Sequence, residues 1–139
     1  MPPRRDPLRD KLHALAELKK QPPPARGEPS HAERQSLLRA ALTDKSSFVV
    51  AAAADLVHES DTELTTLLAP AFARFLIDPG QSDKGCAAKT AIARALERID
   101  AQDDTVFWRG IVHVQPEPVF GGRQDTAVEL RSVCAMGLA

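Results

Sequence analysis

Three segments align without gaps and decide the reading of the fold: Asp44-Lys45-Ser46-Ser47-Phe48-Val49-Val50-Ala51-Ala52-Ala53-Ala54-Asp55-Leu56-Val57, Asp83-Lys84-Gly85-Cys86-Ala87-Ala88-Lys89-Thr90-Ala91-Ile92-Ala93-Arg94-Ala95-Leu96, and Asp125-Thr126-Ala127-Val128-Glu129-Leu130-Arg131-Ser132-Val133-Cys134-Ala135-Met136-Gly137-Leu138. Each begins with Asp, and equal offsets carry small or apolar residues: Ala52, Ala91 and Val133; Ala53, Ile92 and Cys134; Val57, Leu96 and Leu138. The starts lie 39 and 42 residues apart. A period near 40 with two helices per unit marks a stacked array, in which each helical hairpin buries its apolar face against the next.

Outward from these segments, the pattern predicts helices separated by short breaks. Asp6-Pro7 is an N-cap followed by an N1 proline, and Leu8, Leu12, Leu15 and Leu18 form one stripe of a helix over 6–20. Pro22-Pro23-Pro24 and Gly27-Glu28-Pro29 cannot be helix interior and read as an exposed linker. Ser30, with Glu33 three residues on, opens a helix to Leu42. Ser46 or Ser47 opens the next, to His58; Asp61 or Thr62 opens a long one to Ile77; Asp83 opens one to Ile99. Asp103 or Asp104 opens a helix to Gln115, ended by Pro116-Glu117-Pro118, and Asp125 opens the last. Gly121-Gly122 forms a turn before it. Residues 1–29 thus form a helix and linker, and residues 30–139 a repeat domain divided at 30–60, 61–100 and 101–139.

The apolar content, 43% of the chain, comes mostly from Ala and Leu, with one Trp, five Phe and no Tyr. Both favour helix, while the β-branched clusters of strands are nearly absent, which predicts an all-α fold. Charge is uneven. Residues 1–45 carry ten Lys/Arg and six Asp/Glu, and residues 46–139 carry eight and thirteen. An acidic repeat region argues against DNA or RNA, and the basic N-terminal segment reads as a solvated arm. Cys86 and Cys134 make no disulfide framework and read as small buried hydrophobes. The opening Met1-Pro2-Pro3-Arg4-Arg5-Asp6 lacks the apolar run of a leader, and no stretch is long enough to span a bilayer. A cytoplasmic setting follows as the expectation.

The aligned segments resemble the HEAT-repeat family, which places an Asp at the turn before its second helix and a Lys or Arg six residues later. Asp83 with Lys89 and Asp125 with Arg131 match, whereas Asp44 is followed by Val50. Pro70 suits the proline that bends the family's first helix. The resemblance covers residues 30–139. It implies a right-handed α-solenoid of antiparallel hairpins, about three repeats after an N-terminal helix. Asp44, Asp83, Lys89, Asp125 and Arg131 are expected to form a structural ladder, with Lys89 and Arg131 reaching the Asp of an adjacent unit. The expected function is a non-catalytic scaffold that binds a protein or peptide through the second helices. Asp55, His58, Thr90, Arg94, Glu97, Arg98, Glu129, Ser132 and Met136 are the candidate contacts, placed on one side by helical spacing.

Enzymes of the same superfamily are the alternative. His58-Glu59 is the only His-Glu pair, whereas the similar deoxyhypusine hydroxylases bind two irons through several, so it reads as a surface histidine. Trp108 invites comparison with HEAT-like DNA glycosylases but is expected to pack with Phe107 and Ile111 between helices. Bilin-lyase-like proteins are a further alternative. No phosphate loop, Gly-x-Ser-x-Gly, Cys-x-x-Cys or His-x-x-x-His pattern occurs, so neither a metal nor a cofactor is expected. The final helix lacks the polar cap of an array, which suggests a longer parent chain or a tightly packed last helix, with self-association through that end as the alternative.

Overall fold

The computed structural model describes residues 6–139, so the leader reading of Met1–Arg5 lies outside the described residues. Helix dominates, as the Ala/Leu composition predicts: α1 Pro7–Lys19, α2 Pro29–Leu42, α3 Ser47–Ala54, α4 Thr62–Thr65, α5 Leu68–Arg74, α6 Pro79–Ser82, α7 Ala87–Arg98, α8 Thr105–Ile111 and α9 Val128–Leu138. Helices α2 and α3, α5 and α7, and α8 and α9 pack as pairs, α7 touches both α3 and α9, and α1 lies against α3. The proline-rich linker therefore separates α1 from the rest in sequence but not in space, and Leu15 of α1 is buried in the common core. That core is filled by Phe72, Phe75, Leu38, Leu68, Ile92 and Leu130 among others. Each such side chain contributes about 1.5–3 kcal/mol relative to exposure.

Local chemistry sets the helix ends. The Asp6 carboxylate accepts from Leu8 N and Arg9 N at 3.1 and 3.3 Å, with Pro7 at the first helical position, as its sequence predicts. Ser46 caps α3 through Val49 N. The expected cap at Ser30 is absent, because α2 already begins at Pro29. The long helix predicted to Ile77 is broken: α4 ends at Thr65 and α5 starts at Leu68. Pro70 lies four residues after Thr66, where it can neither donate to that carbonyl nor clear it.

The expectation of a strand-free chain is also corrected. Pro116–Val119 (β1) and Gly122–Asp125 (β2) form an antiparallel hairpin where helix ends and a loop were expected. The hairpin needs no apolar face of its own. Its turn is Phe120-Gly121, with Gly121 at φ 86°, a backbone conformation that glycine reaches without Cβ strain. Asp125 consequently ends a strand and does not begin α9.

The three repeat-leading aspartates share one device, which also corrects the expected ladder. Asp83 accepts from Ala88 N at 2.8 Å and Lys89 N at 3.0 Å, satisfying donors at the start of α7. Lys89 Nζ bonds the same carboxylate at 2.9 Å and the Phe75 carbonyl, at the end of α5, at 3.1 Å. Arg131 repeats this, pairing with Asp125 at 2.7 Å and donating to the His113 carbonyl just beyond α8 at 2.9 Å. Both pairs lie within a unit, because a base six residues from its Asp is already within reach of it. In the first unit, Val50 cannot supply the cation; Lys11 from α1 binds Asp44 at 2.6 Å instead. Adjacent units are joined by groups the repeat pattern did not single out. Arg74 donates to the Asp44 carbonyl at 2.7 Å, and Gln115 Nε2 to the Asp83 carbonyl at 2.7 Å.

Removing Lys89 strands a buried carboxylate and a buried carbonyl. Lys89→Met is expected to cost about 3–5 kcal/mol in urea unfolding, since both partners of the pair are 0% exposed. Arg131→Met, at a pair about 30% exposed, is expected to cost about 1 kcal/mol or less. Equal losses would contradict the assigned difference in burial.

Several carboxyls in these ties sit below their usual range. The hydrogen bond from Lys11 lowers Asp44, and that from Arg131 lowers Asp125. Burial alone would raise Asp61 and Glu117, but hydrogen bonds led by Arg34 on Asp61 and by Thr126 on Glu117 outweigh it. A carboxyl depressed in the folded state adds stability above its unfolded value, and that stability is lost as pH falls through the folded one. The urea midpoint should therefore hold near neutrality and drop progressively below about pH 4. A decline that begins between pH 7 and 6 would refute this account.

Candidate interaction surface

The residues expected to line one binding side do not act alike. Thr90 is 6% exposed and lies in the core side of α7, which removes it from the contacts; the small residues around it let α3 and α9 close on α7 and cover it. Arg94 on α7 is ion-paired with Glu129 on α9, so both residues tie adjacent helices together. Arg98 Nη2 donates to the Ala54 and Val57 carbonyls at 3.1 and 2.8 Å, satisfying acceptors at the end of α3. Asp55 follows α3 directly, and His58 stands exposed in the loop after it, where its backbone N–H donates to Asp61. Glu97, Ser132 and Met136 are exposed.

Helices α8 and α9 each leave apolar side chains in solvent. Phe107 packs against Gly137, and Gly110 against Phe72 and Cys134, which directs Trp108 and Val112 away from the core. Trp108 is 59% exposed, in place of the expected packing with Phe107 and Ile111. Its Nε1 donates to Asp104 Oδ2 at 3.1 Å, a pairing one helical turn back that holds the ring at the surface. On α9, Val128, Ser132 and Met136 follow at four-residue spacing, and Met136 is 62% exposed. Val119 and Phe120 at the hairpin tip are exposed too.

A groove of 420 Å³ lies between α4–α5 and the connection from α7 to α8. Ala69, Leu96, Ile99 and Val106 give it an apolar floor, and Glu59, Asp100, Asp103 and three threonines, Thr62, Thr65 and Thr66, stand around it. Sequence reasoning missed this site. It read Asp103 and Asp104 only as helix-start signals, and only the packing of α5 against α7 brings these groups together. The same is true of Gln115, an isolated glutamine whose Nε2 bonds Pro79 O, Asp83 O and Glu117. Its Oε1 accepts from the Cys86 thiol at 3.1 Å and faces His113 Nε2 at 2.9 Å. Burial pushes the Cys86 thiol up, and Cys134 up to about 11, so both are thiols of low reactivity.

Asp100 takes φ 53° just after α7, where Ala101 N bonds back to the Leu96 carbonyl. Glycine meets that geometry with less strain. Asp100→Gly is therefore expected to stabilise the protein by about 0.5–1 kcal/mol in urea unfolding; a loss of stability would show that the carboxylate itself supports the fold.

Among the described residues, no helix is long and apolar enough to cross a membrane, and no group of His, Cys, Asp and Glu is arranged to hold a metal ion. Compared with protein-family models, with curated proteins and with solved structures, the chain matches none of them.

Proposed function

We propose that this protein is a non-catalytic adaptor, built as a short right-handed solenoid of about three HEAT-like hairpins, that holds a protein or peptide partner. The observation that carries this reading is the set of apolar side chains that α8 and α9 hold in solvent, Trp108, Val112, Val128 and Met136. Aromatic residues and Met are enriched in protein interfaces, and an apolar set on two adjacent helices is costly to leave wet. The solenoid reading draws support from two features. Helices α3, α7 and α9 touch in sequence order, and an ion-paired aspartate precedes each of them. Free, buried Cys86 and Cys134 suit a reducing compartment such as the cytoplasm.

The contacts expected from sequence are redistributed in this proposal. Ser132 and Met136 belong to the exposed face of α9. Arg94, Arg98 and Glu129 serve the packing of helices, and Asp55, His58 and Glu97 remain accessible around it.

Affinity capture from the source cells, with the full chain as bait, tests the reading. Wild type and a Phe48→Ser control, altered at an exposed apolar residue on α3, are expected to retain the same protein. A Trp108→Ala/Met136→Lys variant is expected to retain about tenfold less, the loss of a hot-spot pair. No specific protein retained, or equal retention by all three baits, would overturn the proposal. If light scattering finds a dimer that becomes monomeric in the double variant, the partner is a second copy of this chain.

A further inference from the structure

We propose that the groove between α4–α5 and the α7–α8 connection binds a basic peptide segment of a partner protein, seating an aliphatic side chain on its floor between carboxylates that meet flanking Lys or Arg. This site does not include the exposed apolar side chains of α8 and α9, and the two proposals stand or fall independently.

The floor comes from four apolar side chains of three elements: Ala69 of α5, Leu96 with Ile99 at the end of α7, and Val106 of α8. It is open along one side and not enclosed, which suits a chain passing through better than a small molecule needing burial on all sides. The polar groups around it, Thr62 and Gln102 apart, are biased in one direction. Thr65 Oγ1 donates to the Thr62 carbonyl and Thr66 Oγ1 to the Glu63 carbonyl, each at 2.7 Å. A hydroxyl that has spent its only proton internally offers lone pairs alone, so these threonines present acceptors to the groove. Carboxylates of Glu59, Asp100 and Asp103 add further acceptors.

Nothing nearby neutralises those three carboxylates, which form no ion pair among the described residues. The Arg98 guanidinium donates to the end of α3, and Arg39 is paired with Glu63. The Thr105 backbone N–H holds Asp103 below the usual carboxylate range. An apolar floor under unopposed negative charge and acceptor-only hydroxyls complements a donor-rich, cationic segment carrying one aliphatic anchor. An acidic or phosphorylated segment would meet repulsion from Glu59, Asp100 and Asp103.

A random dodecapeptide library displayed on phage and selected on the full-length protein tests this. Recovered peptides are synthesised with a fluorescent label and measured by anisotropy. The expected peptides carry Lys or Arg on both sides of Leu, Ile or Val. Their affinity should fall roughly tenfold in Glu59→Gln/Asp100→Asn, which removes two charges while keeping side-chain shape and a residue that tolerates positive φ. It should fall similarly as salt screens the rim, and stay unchanged in Trp108→Ala. Peptides that are neutral or acidic, or that bind the double variant as well as wild type, would overturn the proposal. So would spermine displacing the peptides at equal concentration, which would assign the groove to polyamines. A wild-type dimer that dissociates in Glu59→Gln/Asp100→Asn would likewise overturn it, by making the basic N-terminal segment of a second copy the occupant.

Discussion

A lysine and an aspartate with no solvent contact, Lys89 and Asp83, hold the middle of this structure together. Taking two charges out of water is unfavourable, and their mutual attraction compensates only when every remaining donor and acceptor is also met. Here they are. The carboxylate accepts two backbone N–H groups at the start of α7, and the ammonium reaches the carbonyl at the end of α5. One pair thus closes the ends of two helices that run into each other through α6 and a tight turn. The geometry leaves α7 little freedom to slide or rotate, and α7 is the helix against which α3, α5, α8 and α9 all rest.

The same requirement is met differently at the two ends of the chain. Toward the C-terminus, Arg131 reproduces the bridge at a partly exposed site. Toward the N-terminus, Lys11 of α1 meets Asp44, and Arg74 of α5 meets the carbonyls of Leu42 and Asp44. The degenerate first unit therefore borrows its cations from neighbours, which docks α1 on α3 and α5 beneath α2. Gln115 plays the corresponding part between the second and third units. Backbone carbonyls at helix ends must be satisfied once buried, and each unit does this with a side chain of the next.

Surface features inherit their positions from this framework. Because α7 is pinned at its start, its far end, with Ile99 and Asp100, is presented at a defined height beside α4 and α5, and the groove forms there. The break between α4 and α5 at Pro70 bends the groove's other wall, turning Thr65 and Thr66 along its edge. The hairpin between α8 and α9 returns the chain so that Asp125 meets Arg131, and α9 then lies along α8 with Trp108, Val112, Val128 and Met136 facing outward.

Helix content, the capped start of α1, the linker and the register of the three Asp-led segments were legible in the residues alone, because they rest on local propensity and on spacing along one chain. Asp83 and Lys89 stood out by their spacing, but they were expected to join adjacent units, whereas they pair with each other. Other features were not legible. The β-hairpin carries no alternating apolar pattern, and its first strand holds Pro116 and Pro118, which read as breakers. Trp108 looked like core by residue type, yet its place on α8 and the pull of Asp104 put it outside. The cross-unit bonds of Arg74 and Gln115, and the meeting of Glu59 with Asp100 and Asp103, join residues 30 to 44 positions apart. Such contacts depend on how helices stack in three dimensions, a choice made by the summed packing of the core and not by any short stretch of sequence.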